Sequence, residues 1–194
     1  MGKCKRKQTR KKKKSNWSWK NNQKTTFTSK HRKTEKAITK VQKKPLNKLD
    51  LLKLLKNIPN FLGVHSSDEL SNLCVVKYPI YLIVNIDTSQ LDGSHWLAIH
   101  IDKRSVEVFD SLGMNPSLWG SYPSPLFDFL GNYSFSHKFH ISPLIQPPYT
   151  FTCGLYCIYF IIFRQKFSFR YCTGQFSSLL SENNQKLFSL LLKN

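Results

Sequence analysis

Four polar residues in the apolar part of the chain could form a thiol-dependent hydrolytic site: His95, Asp110, Gln146 and Cys153. A thiol attacks a carbonyl carbon as the thiolate, so it needs an imidazole that takes its proton and usually a third group that orients the imidazole. His95 and Asp110 fit these two roles. The side-chain amide of Gln146, together with backbone N–H groups near Cys153, could stabilise the developing oxyanion. The combination indicates a cysteine peptidase.

Three predicted strands position the first two of these residues. Residues 80–86 are rich in β-branched side chains and are bounded by Pro79 and a polar run, which indicates a buried strand. Residues 96–101 and 106–109 predict two more strands, joined by a polar turn at 102–105. Such a hairpin would bring His95 and Asp110 to the same end of a sheet.

The candidate nucleophile precedes a segment that is apolar nearly all round. Residues 154–164 therefore predict a helix buried in the centre of the domain, with Cys153 at its N-terminus. The partial positive charge of a helix start favours both a thiolate and an oxyanion. Gln146 is followed by two prolines, so it lies in a stiff loop before the nucleophile.

Further elements complete an α+β domain. Leucines interleaved with lysines predict a short amphipathic helix at 46–55, and another amphipathic helix is expected at about 181–192. Residues 135–141 predict an edge strand. Residues 115–133 contain three prolines and predict turns with one short helix at 126–130.

The other cysteines and histidines have less specific surroundings. Three cysteines are expected to be small core residues: Cys74, Cys157 and Cys172. The alternative is a zinc site formed by Cys153, Cys157, Cys172 and a histidine, but the chain has no Cys-x-x-Cys pair, so we expect no metal. Four histidines are expected to be surface or hydrogen-bonded residues: His65, His100, His137 and His140.

The positive charge is concentrated at the N-terminus. The formal net charge is +19, and the first fifty residues hold 19 Lys and Arg against two acids. Residues 1–44 are expected to be a disordered basic tail ahead of a peptidase domain at 45–194. The tail would bind DNA without reading its sequence, or would act as a nuclear import signal, and one tail can serve both. The basic residues concerned are Lys5, Arg6, Lys7, Arg10, Lys11, Lys12, Lys13 and Lys14.

Cysteine usage and hydropathy favour an intracellular protein without a membrane span. Five cysteines form no regular framework and follow no secretory signal, which favours a reducing compartment. The longest nearly unbroken apolar stretch, 155–163, has nine residues, far below the ~20 that cross a bilayer. Met1-Gly2 could begin an N-myristoylation signal, but Arg6 stands where this signal requires Ser or Thr, so lipidation is not expected.

The segment 84–115 resembles the adenovirus protease (adenain) family. Residues 61–64, 153–157 and 184–190 also resemble family stretches, in the family's order, so the resemblance covers roughly residues 46–194. The same clan contains the SUMO and ubiquitin-like proteases and the proteases of Maverick/Polinton elements and related DNA viruses. The resemblance implies an α+β fold with a central mixed sheet and a buried helix that carries the nucleophile, in a residue order permuted from papain's.

Carried over from this family, His95 is the base, Asp110 the orienting acid, Gln146 the oxyanion-hole amide and Cys153 the nucleophile. The acid is Asp, as in the Maverick and SUMO-protease branches, whereas adenoviral enzymes typically have Glu. The resemblance also implies activation by DNA and by a disulfide-linked viral peptide. The chain has no cysteine between Cys74 and Cys153, so any peptide cofactor is expected to bind non-covalently.

Three functions are compatible with the sequence. The first is an endopeptidase of the host nucleus or the virion that cleaves viral structural precursors near Gly-containing sites, with an extended substrate paired beside one of the long apolar strands. The second is an isopeptidase that removes SUMO or another ubiquitin-like modifier. The third is an inactive protease-like protein that binds nucleic acid. No cofactor is required by the sequence, although DNA could act as an activator.

Overall fold

The computed structural model describes residues 44–73, 75, 77–113, 122–133 and 136–193. In this part of the chain one sheet contains the strands β1 (Phe61–Ser66), β2 (Ile80–Asn85), β3 (Trp96–Ile101), β4 (Ser105–Phe109) and β5 (Lys138–Ile141). The α-helices are α1 (Lys48–Leu55), α2 (Ser124–Gly131), α3 (Cys153–Arg164), α4 (Phe169–Thr173) and α5 (Asn183–Leu192). Short 3-10 helices span Ser67–Asn72 and Leu180–Glu182.

The sheet is mixed, with the strand order β1-β2-β3-β4-β5. Strands β2, β3 and β4 are antiparallel neighbours, whereas the two edge strands run parallel to the strands beside them. This arrangement confirms the predicted α+β class. The long apolar strands β2 and β3 are interior and already have a neighbour on each side, so an extended substrate cannot pair with them. Of the five strands described, only β1 and β5 have an open edge for such a partner.

Helices cover both faces of the sheet. Because successive side chains of a strand point to opposite faces, Trp96 and Ala98 of β3 pack with the cluster that includes α1, α3 and α5. Leu97 and Ile99 pack on the other face, in the cluster that contains α2 and the 3-10 helix Ser67–Asn72. Burial on both faces explains why β2 and β3 are apolar without alternation. None of the described helices is long and apolar enough to cross a membrane.

Most predicted elements are present with small shifts of their ends. The predicted hairpin, the buried helix after the candidate nucleophile, the short helix near residue 126 and both amphipathic helices are confirmed. Strand β1 was not predicted as an element. Gly63 adopts φ 120° in it, and its register with β2 is irregular between Phe61 and Val64. The predicted edge strand is observed from Lys138 onwards. The N-terminal tail up to residue 43, Cys74 and residues 114–121 lie outside the described residues.

A buried ion cluster holds α3 on the sheet at the end opposite His95. His100 of β3 and Glu107 of β4 are cross-strand partners, with Nδ1 of His100 3.1 Å from Oε2 of Glu107. Arg164, at the C-terminal end of α3, donates from Nε to Oε2 of Glu107 at 2.6 Å and from Nη2 to Oε1 at 2.9 Å. Burial would raise the pKa of Glu107, but the close contact with His100 and the hydrogen bonds from Arg164 lower it, so the carboxylate stays ionised.

Arg164→Met is expected to lower the free energy of unfolding by roughly 3 kcal/mol, because it leaves the buried carboxylate of Glu107 without its cationic partner. Urea unfolding near neutral pH measures this change. Arg170→Met, on the exposed side of α4, is the matched control and should change the free energy of unfolding by less than about 0.5 kcal/mol. Equal effects of the two substitutions would contradict this role for Arg164.

Candidate active site

The ends of two antiparallel strands bring His95 and Asp110 together. His95 immediately precedes β3 and Asp110 immediately follows β4, and the pairing of Ala98 with Phe109 places these two ends side by side. The Nε2 atom of His95 lies 2.7 Å from Oδ1 of Asp110. The side chains are 7% and 1% exposed, respectively. The pair is therefore shielded from water, as an orienting carboxylate requires.

The protonation of the pair follows from its surroundings. Burial alone would lower the pKa of His95, but the hydrogen bonds and charges of Asp110 and Cys153 raise it from 6.5 to about 9. Burial alone would raise the pKa of Asp110, but the hydrogen bond and charge of His95 lower it below its usual range. The stable state near neutral pH is an imidazolium paired with a carboxylate.

Cys153 begins helix α3 and faces His95. Cys153 lies close enough to the His95 ring to contribute to its raised pKa. Because Asp110 takes Nε2, Nδ1 is the ring nitrogen available to the sulfur. The helix start approaches the protein core closely: a Cβ at Gly154 would lie 3.2 Å from Cβ of Leu46. Trp96, the residue after His95, donates from Nε1 to the Leu46 carbonyl at 2.9 Å, so this tryptophan is a structural anchor.

Gln146 is held rigidly in the loop before the nucleophile. Its Oε1 accepts a hydrogen bond from the Ser111 hydroxyl at 2.7 Å, and its Nε2 donates to the Thr150 carbonyl at 2.8 Å. These two contacts fix the orientation of the amide. An amide nitrogen carries two hydrogens, so one hydrogen of Nε2 remains for an oxyanion. The first N–H groups of α3 have no acceptor within the helix and could donate to the same oxyanion.

Three residues that support the site were not predicted from the sequence: Tyr122, Ser142 and Asn183. The Tyr122 hydroxyl donates a hydrogen bond to Oδ2 of Asp110. The Ser142 hydroxyl accepts from the Asp110 N–H at 2.8 Å and lies 2.6 Å from its carbonyl oxygen. Asn183 donates from Nδ2 to the carbonyl oxygens of Ile145 and Ser177, both at 2.8 Å. The family-like stretch that begins at residue 184 was the sequence signal closest to Asn183.

The remaining candidates occupy other environments. Cys157 and Cys172 are free and buried in the core, as predicted. Burial raises the pKa of Cys157 well above its usual range and that of Cys172 to about 12. Within the described residues no group of three or more His, Cys, Asp or Glu side chains could hold a metal ion. The basic residues Lys5 to Lys14 lie outside the described part of the chain.

The raised pKa of His95 predicts a pH-dependent stability. The folded pKa of about 9 exceeds the ordinary 6.5, so the contribution of His95 is fully present below about pH 6.5 and is lost as the pH rises to about 9. The difference in unfolding free energy between the parent and His95→Gln should therefore shrink across this window, by on the order of 3 kcal/mol. Urea unfolding at several pH values tests it, and a difference that stays constant would contradict the ion pair.

Comparison with solved structures shows proteins of similar fold. No protein-family model and no curated protein matches the chain. Among solved structures, the crystal structure of the ASFV protease matches with a TM-score of 0.50 and 17% identity, over 76% of this chain and 66% of that one. The SUMO protease Ulp1, with its catalytic cysteine oxidised to a sulfinic acid, matches with a TM-score of 0.46 and 15% identity, over 85% of this chain and 94% of that one. The chain described above shares the α+β fold of the ASFV protease.

Proposed function

We propose that the protein is a cysteine endopeptidase that cleaves viral structural precursor proteins near Gly-containing sites. One observation carries the chemical part of this proposal. A thiol at a helix start lies close enough to a buried imidazole to raise its pKa, and this imidazole is itself paired with a buried carboxylate. This arrangement provides a nucleophile, a proton carrier and an orienting group in one chain of contacts.

In the first half-reaction, the Cys153 sulfur attacks the scissile carbonyl carbon, with the proton of the thiol held on His95. The oxyanion that forms accepts hydrogen bonds from Nε2 of Gln146 and from the backbone N–H of Cys153. The carbon–nitrogen bond then breaks as His95 donates its proton to the leaving amine. Asp110 keeps the imidazole in the orientation that allows both transfers.

In the second half-reaction, a water molecule attacks the thioester carbonyl and gives a proton to His95. The carbon–sulfur bond breaks, the acid product leaves, and the proton on His95 again pairs with the sulfur of Cys153. The protein is regenerated without a metal or an organic cofactor in any step.

Exposed aromatic side chains beside the nucleophile suggest where the substrate lies. Tyr149 is fully exposed and adopts φ 58°, a left-handed backbone conformation that is uncommon for a bulky residue. Phe151 is 62% exposed. Both belong to the loop that is fixed by the contact of Gln146 with Thr150. We propose that the two rings contact the polypeptide next to the scissile bond, while its extended part pairs with an open sheet edge.

The viral assignment is supported by the fold shared with the ASFV protease and by the resemblance to adenain-like sequences. We further propose that the basic tail binds DNA, which would hold the enzyme on packaged genomes in the host nucleus or the virion. The 19 bases in the first fifty residues would make this binding steeply dependent on salt. DNA, or a peptide bound non-covalently, would then act as an activator.

A substrate panel tests the proposal. The full-length protein is incubated with Gly-containing peptides from capsid precursors and with precursors of ubiquitin-like modifiers, with and without double-stranded DNA, and products are identified by mass spectrometry. Cleavage of the capsid peptides that depends on Cys153 supports the proposal. Cleavage confined to the modifier precursors would assign the deconjugating alternative. DNA binding without any cleavage would assign the inactive nucleic-acid-binding alternative.

A further inference from the structure

We infer that Tyr122 is a positioning residue of the active site, which acts by fixing the second oxygen of the Asp110 carboxylate. The inference rests on the proposed peptidase function and adds a residue to it. The Tyr122 hydroxyl donates a hydrogen bond to Oδ2 of Asp110, whereas the His95 ring contacts Oδ1. The two ligands therefore hold opposite oxygens of one carboxylate.

The carboxylate of Asp110 is almost completely enclosed, so its hydrogen bonds must come from the protein. Among the described residues, Oδ1 accepts from Nε2 of His95 at 2.7 Å and from the Leu112 N–H at 2.9 Å. Oδ2 accepts from the Tyr122 hydroxyl. A carboxylate that is bound at one oxygen only can rotate about its terminal bond, and Tyr122 opposes this rotation. Orientation of the imidazole plane thus depends on Tyr122 through Asp110.

The hydroxyl can act only as a donor toward the ionised carboxylate. Burial, followed by the nearby charge of Asp110, raises the pKa of Tyr122 above its usual range, so the hydroxyl keeps its proton across the range in which the enzyme would work. Tyr122 lies two residues before α2, whose buried Leu126 and Leu130 pack in the core on one face of the sheet. Helix α2, which packs on the face of the sheet opposite to the helix that carries Cys153, therefore holds Tyr122 in place.

The titratable groups around Asp110 determine how the loss of the Tyr122 hydroxyl would change the pKa of Asp110. They are His95, Tyr122 and, on α3, Cys157. Cys157 has a pKa raised well above its usual range by burial, so it stays neutral. Removing the Tyr122 hydroxyl takes away one hydrogen bond that stabilises the ionised form of Asp110. The pKa of Asp110 should then rise.

Tyr122→Phe, which removes only the hydroxyl, is the test. We expect kcat to fall about tenfold with KM changed less than about twofold, because the lost contact orients the reacting imidazole and does not touch the substrate. Carboxyl-carbon NMR titration of Asp110, assigned with Asp110→Asn, should show a higher pKa in Tyr122→Phe than in the parent. Tyr171→Phe, which keeps its ring stacked on Phe167, is the matched control and should match the parent in both measurements.

An unchanged Asp110 titration in Tyr122→Phe would overturn the inference, as would an unchanged kcat in an active parent. A parent that hydrolyses no peptide but whose Asp110 titration still moves in Tyr122→Phe would contradict the proposed function while supporting Tyr122 as the anchor of Asp110. The two failures are therefore distinguishable.

Discussion

Cys153→Ala is expected to abolish peptide hydrolysis, with a rate at least about 10⁴-fold below that of the parent. The change removes the sulfur that forms the acyl intermediate, and no other described cysteine can replace it, because Cys157 and Cys172 are buried and their pKa values are raised. Hydrolysis of a Gly-containing peptide, followed by mass spectrometry, measures the loss. Alanine lacks only the sulfur of cysteine, so the fold should be retained.

Cys172→Ala provides the control for a cysteine substitution as such. Cys172 is fully buried and belongs to the same core cluster as α3. This variant is expected to be less stable to urea than the parent but to hydrolyse the peptide at the parent's rate. Hydrolysis that survives Cys153→Ala, or that disappears equally in Cys172→Ala, would show that Cys153 is not the nucleophile.

Gln146→Met is expected to lower kcat by about 10²–10³-fold, which corresponds to about 3–4 kcal/mol of transition-state stabilisation. Methionine keeps the length of the side chain but has no N–H to donate to the oxyanion. Alkylation of Cys153 by a haloacetamide passes through no tetrahedral oxyanion. The rate of alkylation should therefore stay within about twofold of the parent's, which separates oxyanion binding from activation of the thiol.

The loop around Gln146 requires its own control, because the substitution also leaves the Ser111 hydroxyl and the Thr150 carbonyl without the amide. Ser111→Ala removes one of these contacts and keeps the amide N–H, so its loss of kcat should be smaller than that of Gln146→Met. If the alkylation rate and kcat fell by the same factor in Gln146→Met, the role of Gln146 would be to keep the loop in place and not to donate a hydrogen bond to the oxyanion.

The pattern of apolar and polar residues explains why His95, Asp110 and Cys153 could be placed from the sequence. Residues 80–86, 96–101 and 106–109 are apolar enough to be strands, and the polar turn between the last two makes them a hairpin. The geometry of an antiparallel hairpin then places His95 beside Asp110. The apolar segment after Cys153 similarly identifies a buried helix, and the position of Cys153 at its start follows from the polar loop before it.

The contacts that the sequence did not predict join residues from different elements. Tyr122 reaches Asp110 from a proline-rich segment that has no periodicity, so no pattern points to its partner. Glu107 and Arg164 form their ion pair across 57 residues. Only the packing of α3 on the sheet brings them together. The alternation of strands and helices fixes the fold, whereas hydrogen bonds between distant side chains depend on packing that the sequence pattern does not encode.

The most direct test of the thiol–imidazole pair is the rate at which a haloacetamide labels each cysteine near neutral pH, in the parent and in His95→Ala, measured by peptide mass spectrometry. Cys153 should be labelled at least about tenfold faster than Cys157 and Cys172, and His95→Ala should remove most of this difference. Labelling of Cys153 that is no faster than that of Cys172, with and without DNA, or that is unaffected by His95→Ala, would contradict a cysteine peptidase built on this pair.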